Sequence, residues 1–389
     1  MSPSAVNALA RQVMRRCDEL GRVSEEKGRL TRTFASPAMR EANAMVGSWM
    51  RQAGLTVRED AAFNLIGCLP SAKRGAKSVI IGSHLDTVRD AGKYDGPLGV
   101  LIGVAVAEKM RGQNLPFHLE VVGFSDEEGV KYQTTYLGSR AMCGLLAAKD
   151  LGRIREKGIA RAKRAKREFL AYLEAHIEQG PVLEHLRAPV GVVSDIAGQT
   201  RIRAAFIGRA GHAGTTPMNL RRDALCGVAE VVLAAEKAGV MATVGQCAVE
   251  GGASNVIPGR ATFTLDVRDV KDAKRRAACG KLRKIAAAVA RRRGLVLEWE
   301  IVQETPTAPM DAGLTSVLRR AVGSRVRTMA SGAGHDAAVM SKVCPAAMLF
   351  VRCKGGVSHH PDESVKESDV AVALDVLARA VLELAKRHG

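Results

Sequence analysis

Three short polar clusters in this 389-residue chain carry side chains that bind metal ions and move protons. Ser83-His84-Leu85-Asp86 follows the apolar run SVIIG (78–82). Ser125-Asp126-Glu127-Glu128-Gly129 follows LEVVGF (119–124), and Gly355-Gly356-Val357-Ser358-His359-His360-Pro361 follows AMLFV (347–351). Imidazole and carboxylate together suit zinc, manganese or a similar ion. No cysteine belongs to a cluster, which argues against a structural zinc knot. His84 and Asp86 are two residues apart, on one side of an extended segment. Asp86 could therefore orient the His84 ring. Asp95, in a Tyr94-Asp95-Gly96 turn, could bridge two ions. The adjacent acids Glu127 and Glu128 point different ways, so one can bind metal while the other works as a base.

Each cluster alone has an ordinary reading: a capped loop, a solvated helix start, a surface turn. What separates them from that reading is their shared position after apolar strands, because sites in open α/β sheets form beyond the carboxyl ends of strands. Strands are expected at 78–82, 117–124 and 347–352, and helices at 37–53 (ended by Gly54), 98–110 and 369–387. This alternation predicts an α/β domain with a largely parallel sheet. The charged stretch 147–175 reads as helical. From 199 the pattern changes to strand (200–207), helix (223–238), two strands (246–250, 260–267), helix (270–293) and strand (295–303). That order predicts a ferredoxin-like α+β unit, closed by Pro306 and Pro309. The expected division is a catalytic domain of residues 1–198 and 311–389 interrupted by an inserted domain, 199–310.

At this length two domains are the better expectation. The net charge of +18 raises the question of nucleic acid or anionic membrane. The basic runs 161–167, 274–276 and 291–293 lie in helix-like stretches, where charge solvates a face, so neither partner is expected. A small anionic substrate drawn by the field is the milder reading. The eight cysteines form no C-x-x-C pair, residues 1–20 lack a signal-peptide apolar core, and no apolar run is long enough to span a membrane. A cytoplasmic protein with reduced thiols is expected.

Ten segments, in order along nearly the whole chain, carry a resemblance. They are GSHLDTV (82–88), GKYDGPLGV (92–100), FSDEEGVKY (124–132), LGSRA (137–141), HIEQGP (176–181), GRAGHAGTTPM (208–218), NVIPG (255–259), LDVRD (265–269), SGAGHDA (331–337) and GVSHHPDE (356–363). The chain resembles the dinuclear-metal M20 peptidase and amidohydrolase group. Within it, the likeness is to the branch of allantoate amidohydrolase, N-carbamoyl-L-amino-acid hydrolase and β-ureidopropionase. The resemblance implies two divalent ions per subunit, zinc with manganese as the alternative. One ion takes His84 and His176, the other Glu128 and His359, with Asp95 bridging and Asp86 in support. It implies Glu127 as general base and then acid, and His212 as oxyanion stabiliser acting in the partner subunit of a homodimer. Gln199, His212, Asn255, Arg268 and Gly334 would contact substrate, Arg268 gripping its carboxylate, and Gln179 would help shape the pocket. The inserted domain would carry the dimer contact and close as a lid. One departure stands out: His360 occupies the place after Ser358-His359 where the family usually has Asn.

The implied reaction is hydrolysis of a ureido acid, allantoate first, with N-carbamoyl-L-amino acids next and β-ureidopropionate third. A dipeptidase or aminoacylase is the other enzymatic reading, and HIEQGP argues against it because Glu often stands there in place of His176. A basic binding protein that merely kept the fold would have lost a ligand or Glu127, and all are present.

Overall fold

A computed structural model describes residues 3–389; Met1 and Ser2 lie outside the described residues. The chain divides into two compact units, one of residues up to Ser194 together with Pro309–Gly389, the other Asp195–Ala308. Gly198, assigned above to the catalytic part, begins the strand Gly198–Ile207 and pairs with Asp269 in the second unit's sheet. No described helix is long and apolar enough to cross a membrane.

The first unit is mixed α/β. Four adjacent strands at the centre of its sheet run parallel, in the order His118–Phe124, Ser78–His84, Phe169–Ile177, Ala346–Val351. Antiparallel strands flank them, Leu65–Leu69 with Thr56–Glu59 on one side and Val190–Ile196 on the other. The central strands are buried almost throughout, as parallel strands covered on both faces must be. Helix Pro97–Met110 covers Ser78–His84 and Phe169–Ile177 and is itself overlaid by helices Pro3–Leu20 and Glu367–His388. Being buried on nearly every side, it is apolar all round. Its approach to the sheet is set by glycine: a Cβ on Gly99 would lie 2.0 Å from the carbonyl oxygen of Ala175. Helix Pro37–Gln52 starts where expected, Ser36 accepting from the Met39 N–H at 3.1 Å, and stops at Gly54, whose φ is +92°.

The expected helix over 147–175 is not formed. The segment holds a four-residue turn of helix, Ala148–Leu151, two 3₁₀ turns, Ile159–Ala162 and Lys166–Glu168, and the strand Phe169–Ile177. Its Ala, Lys, Arg, Glu and Leu favour helix intrinsically. Burial between two parallel neighbours overrides that preference, and a strand buried on both faces gives no alternating pattern to detect.

In the second unit four strands run antiparallel in the order Cys247–Glu250, Arg260–Asp269, Gly198–Ile207, Val296–Thr305. With helices Ala224–Glu236 and Asp272–Arg293 this is the ferredoxin-like order. Ala261, Phe263, Leu265 and Val267 alternate inward and pack with Val228, Val231, Leu282 and Val289 of the helices. The intervening Thr262, Thr264, Asp266 and Arg268 are half-buried on the other face.

Gly99→Ala is expected to destabilise the first unit by about 1–3 kcal/mol, the usual cost of overpacking. Gly103→Ala, where the added Cβ would meet only the Ile81 side chain at 3.0 Å and that of Val121 at 3.1 Å, is expected to cost less. Chemical denaturation of both variants checks this. Equal midpoints would contradict a helix position set by Gly99.

Candidate metal centre

Parallel strands share a direction, so their carboxyl ends lie along one edge of the sheet. His84 ends one central strand and His176 stands next to last in its neighbour. The Ser125–Gly129 loop leaves the strand on one side, and the loop bearing His359 follows the strand on the other. Helix Pro97–Met110 brings in Asp95 through Gly96, its N-cap at φ +83°. A Cβ there would lie 2.4 Å from the His84 ring, so glycine satisfies both the turn and the close approach.

These elements bring together the sequence-predicted ligands. His84, Asp95 and His176 offer ligand atoms all within 4.8 Å of one another, and so do Asp95, Glu128 and His359. Asp95 belongs to both groups. Its Oδ1 is 3.3 Å from His176 Nε2 and its Oδ2 is 3.1 Å from His359 Nε2. His84 and His176 approach through their Nε2 atoms at 3.5 Å, and His359 Nε2 is 3.3 Å from Glu128 Oε1. On the far side of each ring, His84 Nδ1 meets the Asp86 carbonyl oxygen and His176 Nδ1 the Ile177 carbonyl oxygen, both at 3.0 Å. A proton held there leaves the Nε2 lone pair facing inward, the arrangement typical of ligating histidines. His360 is turned to Asp362, accepting from its N–H at 3.2 Å.

Glu127 is buried beside Glu128 and His84. Burial pushes its carboxyl well above the usual range; His84 opposes this, while Glu128, Asp336 and Asp86 add to it. Burial also opposes charge on His84, yet the Asp86 carboxylate, with Glu127 and Asp95, holds that imidazole well above its ordinary value. Burial lowers His176 to about 4 despite Asp95. Asp95 is held low against its own burial by His359, His176 and His84. Acids thus outnumber imidazoles in a buried place, and the donor set is nitrogen and oxygen without sulfur. Both features fit divalent cations.

Asp86 does something the sequence did not suggest. Its carboxylate accepts from the backbone N–H groups of Glu127 at 3.1 Å and Glu128 at 3.2 Å, while its contact to His84 Nδ1 is longer, 3.6 Å. It aims the glutamate loop as much as the ring. Sequence reasoning also passed over Glu363, which accepts from the N–H groups of Tyr94 (2.8 Å) and Asp95 (2.9 Å) and so fixes the backbone at Asp95. The signal was present in GVSHHPDE, but nothing in the sequence paired residue 363 with 95. Buried Arg32 donates to the carbonyl oxygen of Leu85 at 3.1 Å, holding the loop from behind. Glu174, two residues before His176, accepts from Tyr172 Oη and from the Ala337 N–H and groups with His176 and His335. Gly334 leaves room for Tyr136: a Cβ there would lie 1.7 Å from the tyrosine hydroxyl.

Gln179, in the first unit, donates from Nε2 to both oxygens of Asp95 at 3.1 Å, and the other predicted residues belong to the second unit. His212 is exposed, in a two-residue strand paired with Val256–Ile257, and the Asn255 carbonyl accepts from the next N–H, Ala213, at 2.8 Å. Gln199 and Arg268 are cross-strand partners. Both reach Asp266, Gln199 Nε2 at 2.6 Å and the Arg268 fork at 2.8 and 3.0 Å.

Asp86→Asn replaces one acceptor oxygen with a donor facing two N–H groups. Turnover is expected to fall about 10–100-fold, as when a supporting partner of a metal site is lost. Circular dichroism should remain unchanged. Unaltered turnover and metal content would contradict a loop held by Asp86.

Known proteins are similar to this chain along most of its length. The model of peptidase family M20/M25/M40 matches residues 80–383. A probable allantoate deiminase of Oryza sativa subsp. japonica is 38% identical over 431 residues, covering 94% of this chain and 88% of its own. An N-carbamoyl-L-amino acid amidohydrolase of Geobacillus stearothermophilus is 38% identical over 402 residues, covering 96% and 98%. The crystal structure of a hydantoinase/carbamoylase family amidase from Burkholderia multivorans superposes with a TM-score of 0.90 at 30% identity, covering 97% and 98%. The chain belongs to peptidase family M20/M25/M40, among its amidohydrolases of carbon–nitrogen bonds.

Proposed function

We propose that this protein hydrolyses a ureido carbon–nitrogen bond of a small anionic ureido acid, allantoate before others, at a centre of two divalent cations. The observation that carries the reading is the pair of ligand groups sharing Asp95. His84, His176 and Asp95 would hold one ion, and Asp95, Glu128 and His359 the other, zinc first and manganese as the alternative. Bound cations of this kind supply Lewis acidity and lower the pKa of water.

The chain's own groups do the rest. Glu127, buried beside Glu128 and His84, takes a proton from the attacking water as the oxygen adds to the ureido carbonyl carbon. His212 stabilises the oxyanion that forms. Glu127 returns the proton to the leaving nitrogen as the carbon–nitrogen bond breaks, and the ureido group ends as carbon dioxide and ammonia. Arg268 grips the substrate carboxylate with its planar fork, exchanging Asp266 for it. Gln199, Asn255 and Gly334 contact the rest of the substrate. The inserted unit serves as lid and dimer contact in a cytoplasmic homodimer, with His212 entering the partner's site. Allantoate is favoured by the segments GSHLDTVRDAGKYDGPLGV and SDEEGVKY. An N-carbamoyl-L-amino acid is the second reading, favoured by the equal identity to the Geobacillus protein.

Ammonia release from allantoate and from a panel of N-carbamoyl-L-amino acids, with added zinc or manganese, tests the substrate. Allantoate is expected to turn over fastest; a faster carbamoyl amino acid would replace it, and no release from any would sink the reading. Glu127→Gln is expected to lose about 10²–10⁴-fold in turnover while keeping its metal, and near-normal turnover would remove Glu127 from its role. Mixing a His212 variant with a metal-site variant should restore partial activity if subunits share sites. No recovery, with subunit exchange verified, would count against sharing.

A further inference from the structure

Tyr136 is an aromatic residue in a backbone conformation that suits glycine. Its φ is +60° and its ψ 35°, at the start of the short helix Leu137–Met142. A bulky side chain adopts that combination only where the surrounding structure imposes it. Here the imposing contacts are plain. The N–H groups of Tyr136, Leu137 and Gly138 donate in turn to the carbonyl oxygens of Glu127, Asp126 and Ser125, at 2.9, 3.0 and 2.8 Å. Ser139 Oγ then donates to Asp336 Oδ1 at 2.5 Å. The segment is tied to the Glu127–Glu128 loop on one side and to the 331–336 loop on the other.

The ring crosses from the first loop to the second. Its hydroxyl fills the space that a side chain on Gly334 would need. The next residue, His335, has its ring centroid 4.4 Å from that of the predicted ligand His176. The phenolic oxygen thus stands one residue from the wall of the candidate metal centre. Leu137, Gly138 and Ser139 are buried, whereas Tyr136 is only half-buried. A tyrosine in such a place presents an apolar body and a polar tip. A ring that only filled the gap between the loops would have no use for the tip.

A substituted ureido acid carries three arms on its α-carbon: the carboxylate, the ureido group that reacts and a third arm. The reading above gives the first to Arg268 and the second to the ions. Gly334, placed against the substrate, has no side chain to offer the third, and the side chain that occupies its place is Tyr136. We propose that Tyr136 determines specificity, its hydroxyl pairing with a polar third arm such as the second ureido group of allantoate or a carboxamide. This rests on the hydrolysis of ureido acids proposed above. An apolar arm of the same shape would displace water from the hydroxyl without replacing its bond, and a site built to pair with a polar group rejects analogues that lack one.

N-carbamoyl-L-asparagine and N-carbamoyl-L-leucine have third arms of the same shape, one ending in a carboxamide and the other in two methyl groups. With allantoate they make three substrates for wild type and Tyr136→Phe, with zinc or manganese added. Wild type is expected to have the higher kcat/KM for the asparagine compound than for the leucine compound. Tyr136→Phe is expected to lose roughly tenfold on allantoate and on the asparagine compound, mainly through KM, and to stay within about twofold of wild type on the leucine compound. An equal loss on all three substrates would make Tyr136 a packing residue, and no loss on any would separate it from the substrate. Either result, or a wild type that prefers the leucine compound, overturns this role and leaves the hydrolytic reading standing. A wild type that releases ammonia from none of the three would overturn the hydrolytic reading, and this role with it.

Discussion

Asp95 turns one carboxylate oxygen to His176 and the other to His359, and the first unit is arranged around that placement. In the proposed two-ion centre it would present one oxygen to each ion, a role that leaves neither its backbone nor its side chain freedom to spare. The backbone is fixed by Glu363, which takes the N–H groups of residues 94 and 95, and by Gly96, whose missing side chain lets the turn press on the His84 ring. The side chain is fixed by His176 on one oxygen and His359 on the other. Four parallel strands in adjacent positions are an economical frame for this, because each ends at the same edge and delivers its own group there.

Holding so many polar groups out of water has consequences elsewhere. Asp126 has neither carboxylate oxygen hydrogen-bonded, and burial pushes it to about 8. Asp126, Gln179 and His359 all adopt positive φ, a conformation that costs free energy wherever it occurs outside glycine. The offset comes from the apolar body of the unit, where helix Pro97–Met110 is buried on nearly every side and helices Pro3–Leu20 and Glu367–His388 close over it. Rigidity at the strand ends follows from packing well behind them.

Much of this was legible in the sequence because chemistry and strand ends coincide. His84, Glu127, Glu128 and His359 each follow an apolar run that reads as a strand, and the strands form. His176 was placed by resemblance alone, since the strand that bears it looks helical in composition and carries polar Tyr172 and Glu174 in its buried run. The partners that hold the site, Glu363 on Asp95 and Asp86 on the Glu127–Glu128 backbone, were invisible for a different reason. They act through backbone N–H groups, which leave no trace in residue type.

The proposed sharing of Asp95 between both ions is tested most directly by one measurement. Zinc titration of metal-stripped protein can be compared for Asp95→Asn, His176→Ala and His359→Ala. A shared carboxylate predicts that Asp95→Asn weakens both binding steps together, whereas each histidine variant weakens one. An Asp95→Asn protein that loses only one step, or neither, would contradict it.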